Sequence, residues 1–238
     1  MKSKLGYIKF VLLLALMAFL YGFAEKRHSQ RKLTGSEVHF TDNENLYVTV
    51  DAVNKLLIQN EEANENLGQE TLDLNKVETL LNSHDMIENA EVFLRLDGKL
   101  SATVTQRKPI GRAVGNTSFY LDKNGEVMPL SENFSARVPL MLGFDESNIL
   151  TAYPLVSYIK NDTFLSKHIT TIQRLENGRY ELKLRKADFV VYFGEIKNIA
   201  LKFNNFKAFY KKALKDKKLD TYKRVNLQFG NQVVCTKK

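Results

Sequence analysis

The sequence predicts an α+β chain in which a single N-terminal transmembrane helix precedes two small modules of unequal charge. Three observations predict it. Leu5–Ala24 is apolar throughout except for Lys9. Residues 35–106 change apolar spacing in the order strand, helix, helix, strand, strand. Residues 107–235 carry short alternating runs punctuated by Gly-containing turns, with two helical stretches among them.

The apolar run comes first. Twenty helical residues span ~30 Å, the thickness of a bilayer core. Lys9 lies near one end, where its stem can reach toward the headgroups. Residues 1–4 then form a cytoplasmic stub, 5–24 a transmembrane helix and 25–34 a linker. A cleaved signal peptide is the competing reading, with Lys2 and Lys4 ahead of the run and Gly22-Phe23-Ala24 as a small-x-small site. The length of the run and the bulky Tyr21 and Phe23 at that site favour the anchor. A buried core helix would need a polar stripe that this segment lacks. Charge does not orient the helix, because Lys2, Lys4 and Lys9 precede it while Lys26, Arg27, Arg31 and Lys32 follow it. A stub of a few residues stays inside easily and long domains translocate largely regardless of charge, so the bulk of the chain is expected outside the cytoplasm.

The net charge of +8 over 238 residues is unevenly placed. Residues 40–91 hold twelve acids against Lys55 and Lys76, which leaves an excess of eighteen positive charges elsewhere. Two differently charged modules fit this better than one basic nucleic-acid binder. The single Cys235 has no partner for an internal disulfide, so each module must stand on its core.

In the first module, residues 35–106, Ser36–Phe40 reads as a short strand. Val50, Val53, Leu56 and Leu57 recur at helical spacing behind Thr49 as N-cap, with Asp51 in the first turn. Asn60–Gln69 is polar and reads as a loop. Asp73 caps a second helix with Leu74, Val77, Leu80 and Leu81 on its apolar face. Ala90–Leu96 and Lys99–Gln106 alternate around Asp97-Gly98, the pair that suits a tight hairpin turn, so Val92, Leu94 and Leu96 should meet Leu100, Ala102 and Val104.

In the second module Asn148 is placed to cap a helix containing Pro154, Leu155, Val156 and Ile159. Strands follow at His168–Leu175, Arg179–Arg185 (after an Asn177-Gly178 turn) and Asp188–Phe193. A helix over Ile196–Leu214 should bury Ile199, Phe203, Phe206, Tyr210 and Leu214, and show Lys202, Lys207, Lys211, Lys212 and Lys215 to solvent. The chain closes with Arg224–Phe229, a turn at Gly230-Asn231, and a return over Gln232–Thr236. A final strand at a sheet edge offers unpaired N–H and C=O groups to another chain.

Catalytic chemistry finds no footing. His28, His39, His84 and His168 are scattered without metal-ligand spacing, and no phosphate loop, H-E-x-x-H or G-x-S-x-G occurs. Ser83-His84-Asp85 is no triad, because adjacent residues point different ways on any regular backbone. No enzyme activity, cofactor or metal is expected. The basic stretch Lys207–Lys218 reads as a solvated face or an attraction for anionic lipid or an acidic partner.

Between the modules stand Thr105-Gln-Arg-Lys-Pro-Ile-Gly-Arg-Ala, then Phe119-Tyr-Leu-Asp-Lys-Asn-Gly-Glu-Val-Met-Pro-Leu, then Arg137-Val-Pro-Leu, ending at Gly143. Pro109 has no donor N–H, so strand pairing must stop or bulge there. Asp122 can bond forward into a turn that Gly125 completes. Arg107 and Arg112 flank the boundary, where charge pairing could tie the modules together, and Pro139 is read with Asp122 and Gly125 as turn chemistry. This order of parts resembles the bacterial cell-division family FtsQ/DivIB over residues 35–235. Gln106-Arg107-Lys108-Pro109 departs from the commoner Glu-Arg-x-Pro, Met86-Ile87 from Pro-Val, and Asp97-Gly98 from a Trp-Pro-type corner.

The resemblance implies a POTRA domain over 35–106 and a curved mixed β-domain with two helices over 107–235. It implies a non-enzymatic divisome scaffold of the inner membrane at the division septum. Its partners would be FtsB-like and FtsL-like coiled-coil proteins, with no nucleic acid and no small-molecule substrate. Carried over by position, Tyr222, Phe229, Asn231, Gln232, Val233 and Val234 are the candidates for pairing with the partner, and Arg179 for meeting an acidic side chain of it. Core burial is the competing role for Phe229 and Val233. A POTRA-bearing transport component is the alternative function, although no run of lipid-facing barrel strands is present. An envelope enzyme released by signal cleavage is a further alternative.

Overall fold

The computed structural model describes residues 2–29, 35–42, 46–62, 73–115, 117–230 and 232–238. The chain divides into two compact units, Met1–Gln106 and Arg107–Lys238.

The first unit opens with α1 (Lys2–Ser29). Helix formation follows the expectation for residues 5–24, and side chains are described from Lys9 to Lys26. Among the described residues no helix is long and apolar enough to cross a membrane.

The rest of the unit runs β1 (Gly35–Phe40), α2 (Val50–Glu62), α3 (Leu74–Asn82), β2 (Ile87–Leu94) and β3 (Lys99–Gln106). The sheet order is β1-β3-β2, with β1 parallel and β2 antiparallel to β3. Capping follows the sequence: Thr49 Oγ1 accepts from the Ala52 N–H at 3.1 Å and Asp73 Oδ1 from the Lys76 N–H at 3.2 Å. Val53, Leu57, Val77 and Leu81 are buried together with Ala90, Leu100, Ala102 and Val104. The side-chain oxygen of Gln106, at the end of β3, accepts from the N–H groups of Tyr47 (2.8 Å) and Val48 (3.0 Å). Of the loop expected over 60–69, residues 60–62 belong to α2, and the rest lies outside the described residues.

The β2–β3 hairpin holds one correction. Val92 pairs with Ala102 and Leu94 with Leu100, as alternation requires. Leu96 does not join them and is 94% exposed. The strand ends at Leu94, and the Gly98 N–H donates to the Arg95 carbonyl at 3.0 Å while the Arg95 N–H donates to Lys99 O at 2.9 Å. The loop is therefore three residues long, with Gly98 at φ +87° closing a bulge. Leu96 sits at the tip of it.

The second unit is a nine-stranded sheet. Its strands are β4 (Pro109–Val114), β5 (Ser118–Asp122), β6 (Val127–Pro129), β7 (Leu140–Leu142), β8 (Ile169–Arg174), β9 (Tyr180–Leu184), β10 (Val190–Gly194), β11 (Tyr222–Asn226) and β12 (Val234–Lys237). Their order is β12-β11-β10-β9-β8-β7-β4-β5-β6. The helices are α4 (Tyr153–Asn161), α5 (Thr163–His168) and α6 (Ile199–Lys215). Leu155, Val156 and Ile159 of α4, Leu165 of α5 and Phe203, Phe206 and Tyr210 of α6 join Ala113, Met141, Ile172, Leu182, Val191 and Val225 of the strands in one core. Gly143 connects β7 onward at φ +78°, and a Cβ there would stand 2.6 Å from the Arg174 carbonyl oxygen. No larger residue fits without moving β8.

Several helical details differ from the sequence reading. The turn before α4 is capped by Asp145, whose Oδ1 accepts from the Ser147 and Asn148 N–H groups at 2.9 and 3.1 Å; Asn148 makes no cap bond. Helix α5 is additional, and Asp162 caps it by accepting from the Phe164 and Leu165 N–H groups at 3.0 and 2.9 Å. Lys202 is buried rather than solvated, donating to the carbonyls of Phe193 (2.9 Å) and Glu195 (2.7 Å) with its ammonium over the Phe193 ring. Leu214, expected inside, is 57% exposed; Ala213 takes its place in the core.

Candidate partner-binding edge

A parallel pair needs a crossover connection, and β10 runs parallel to β11. Helix α6 supplies it. Its aromatic face is anchored by Phe203 stacked 5.5 Å from Tyr158 and by Tyr210 set edge-on, 5.4 Å from Phe164. This delivers β11 beside β10, and the short return places β12 antiparallel to it with Asn226 opposite Val234 and Arg224 opposite Thr236. Beyond β12 no further strand lies among the described residues. Val233 and Cys235 pack against the core, and burial raises the Cys235 thiol above its ordinary pKa. Val234, on the opposite side of the alternation, is 42% exposed.

The expected partner-binding residues separate into groups. Gln232 and Val234 are exposed on the edge segment, and Phe229 is 46% exposed in the preceding turn. Tyr222 and Val233 are half-buried against the core, Tyr222 through an edge-on contact 5.2 Å from Phe209. Asn231 lies outside the described residues. Arg179 is away from the edge, since β9 is separated from β12 by two strands. Its guanidinium donates to the Tyr192 hydroxyl at 3.1 Å, and that bond raises its pKa further above the ordinary arginine range.

Arg224 was missed by the sequence reading. It lies opposite Thr236, stacks 4.4 Å over the Tyr192 ring and donates to Glu181 at 2.6 Å. Arg179, Glu181, Tyr192 and Arg224 so form a polar ladder leading from β9 toward the edge. The signal was present in the alternation of Tyr222, Arg224 and Asn226 around buried Val225.

The residues read as junction and turn chemistry gather largely at one corner. Asp122 is fully buried; its Oδ1 accepts from the Asn124 and Glu126 N–H groups at 2.9 and 2.8 Å, and its Oδ2 from Arg107 at 3.1 Å. Gly125 closes the turn at φ +86°, donating to the Asp122 carbonyl at 3.1 Å. Pro109 faces Asp122 across a register shift, the bulge that a proline requires. The Arg112 N–H donates to the Pro139 carbonyl at 2.9 Å, and its guanidinium donates to Ser135 Oγ at 3.3 Å beside the Tyr120 ring. These partners of Arg107 and Arg112 belong to the second unit, and the contacts fasten that unit internally.

The Ser83-His84-Asp85 run is also spent locally. Ser83 donates to the Leu80 carbonyl at 2.7 Å, and His84 Nδ1 accepts from the Met86 N–H at 3.2 Å. Among curated proteins no significant match is found. The family model for the FtsQ/DivIB C-terminal related domain matches residues 108–236, a stretch that opens beside Arg107 and runs into β12. It takes in the buried corner, the α6 crossover and the open edge alike, and because it spans more than half of the sequence, the chain belongs to the FtsQ/DivIB C-terminal related family.

Proposed function

We propose that this protein is a non-enzymatic scaffold of the cell-division machinery that captures a partner by strand addition at β12. Family membership relates the chain to cell division and to the envelope. The observation that carries the binding mode is the unpaired outer side of β12, flanked by exposed Val234, Gln232 and Phe229. Main-chain pairing supplies affinity there, and side chains at alternate positions supply specificity. The partners are FtsB-like and FtsL-like coiled-coil proteins. The β-α-α-β-β order and the β1-β3-β2 sheet support a POTRA-type module over 35–106. The exposed apolar side chains of α1 from Phe10 to Phe23 support attachment to the inner membrane, with the N-terminus cytoplasmic and the rest of the chain in the envelope at the septum.

The test is co-purification from detergent extracts with tagged full-length protein, a version ending at Gly230, and Val234→Asp. Ending at Gly230 retains Val225 and Leu227, which are 0% and 1% exposed and belong to the core. Loss of a small coiled-coil membrane protein with both altered forms supports edge capture. Equal recovery by all three forms would mean that β12 is structural only.

A further inference from the structure

A separate feature of the second unit has no place in strand addition. Arg137, Val138 and Pro139 before β7, Ser166 and Lys167 of α5, Ile169 and Thr170 of β8 and Arg185 after β9 line a hollow of about 350 Å³. It has an apolar floor and a rim of three cations, and no acid lines it. The acids of the neighbouring elements are committed elsewhere: Asp162 to Lys207, Glu181 to Arg224 and Asp188 to Lys238. The hydroxyl protons are committed too, since Ser166 donates to the Asp162 carbonyl at 2.8 Å and Thr170 to the Lys183 carbonyl at 3.3 Å. Arg185 spends only its Nε–H, on the Lys167 carbonyl at 3.3 Å, which leaves its terminal nitrogens free to face the hollow. The donors on offer are therefore all cationic: two guanidinium forks and one ammonium.

We propose that this hollow is a binding site for a phosphate monoester, borne either by a lipid headgroup or by a soluble ester. The charge balance favours phosphate over a carboxylate. A carboxylate brings one charge and two acceptor atoms, whereas a phosphate monoester brings about −1.5 to −2 at neutral pH and three acceptor oxygens. Planar guanidinium forks pair with such oxygens two at a time. The apolar floor of Val138, Pro139 and Ile169 accepts the carbon stem that follows the ester oxygen. The site stands independently of edge capture, because none of its residues belongs to β11 or β12.

The test uses the full-length chain in phosphatidylcholine nanodiscs, with amide hydrogen exchange read over 137–142, 166–170 and 183–187. Glycerol 3-phosphate is the soluble probe, and nanodiscs containing phosphatidic acid present the same group on a lipid. Saturable protection of these segments by either probe is the expected result, and which of the two acts identifies the source. Arg137→Gln combined with Arg185→Gln should weaken binding about tenfold or more, since each fork makes charge-assisted bonds. Lys211→Gln combined with Lys212→Gln removes the same charge from α6 and should leave binding within about twofold. Circular dichroism checks that both variants fold. Equal loss in the two double variants would reduce the effect to net charge and overturn the proposal. So would protection by neither probe, or stronger protection by a triglutamate peptide.

Discussion

At one edge of the nine-stranded sheet lies β6, three residues that end in Pro129; at the other lies β12, four residues with every N–H in place. The two edges are built on opposite plans. A proline has no N–H to offer a neighbouring strand. Behind β6, the buried Asp122 turn and the 130–138 segment hold the corner, where the Ala136 N–H donates to the Tyr120 hydroxyl at 3.0 Å. Among the described residues, β12 is backed by β11, the packing of Val233 and Cys235, and a bond from the Lys238 N–H to the Thr221 carbonyl at 2.9 Å. Native sheets ordinarily blunt their edges. The two edges therefore differ in what they offer a neighbouring strand.

The largest test of this contrast removes the support of the open edge. Phe206 is fully buried between the crossover helix and the sheet, and Phe206→Ala should cost about 3–5 kcal/mol. Denaturant unfolding of the second unit measures this, and loss of partner capture should accompany it. A cost below about 1 kcal/mol would mean that α6 does not hold the edge. Asp122→Ala attacks the closed edge instead. It removes the carboxylate that pairs with Arg107 and frees two turn N–H groups, for about 3 kcal/mol. Asp122→Asn, which keeps an acceptor in the turn but not the charge, should fall between the variant and wild type.

A smaller effect is set by pH. Burial pushes the Asp162 carboxyl up, but the Lys207 ammonium and the Leu165 and Phe164 N–H groups outweigh it and hold the pKa below the ordinary 3.8. A carboxyl with a depressed folded-state pKa contributes stability above its unfolded value and loses it as pH falls through the folded value. The stability gap between wild type and Asp162→Asn should therefore be constant well above the ordinary 3.8 and shrink as pH falls below it. A gap that persists into strong acid would assign Asp162 a purely capping role. The smallest effect on stability, a few tenths of a kcal/mol, is expected for Pro129→Val. It restores a donor to the closed edge, and sedimentation should show more self-association than wild type. No change in association would mean that the 130–138 segment, and not the proline, closes that edge.

Much of the second unit was legible because its signals are local. Asn177-Gly178 and Asp122 with Gly125 specify turns by their own backbone preferences. Phe203, Phe206 and Tyr210 announce a helix face by spacing alone. Lys202 was read wrongly because its charge suggested solvent, whereas two carbonyls at the end of β10 and the Phe193 ring satisfy it inside. Helix α5 escaped because six residues are too few for apolar periodicity to register.

The sequence by itself determined the order of strands and helices in the first unit, the α6 helix, the main turns, the change of charge between residues 40–91 and the rest, and a strand at the C-terminal end. These depend on neighbours along the chain. Only the tertiary structure decided which strands pair in parallel, that Arg107 meets Asp122 fifteen residues away, that Arg179 bonds to Tyr192, and that Arg137, Lys167 and Arg185 line one hollow. Each of those joins residues from separate elements, and long-range pairing is set by how buried faces and hydrogen-bond donors are satisfied together, which no local pattern records.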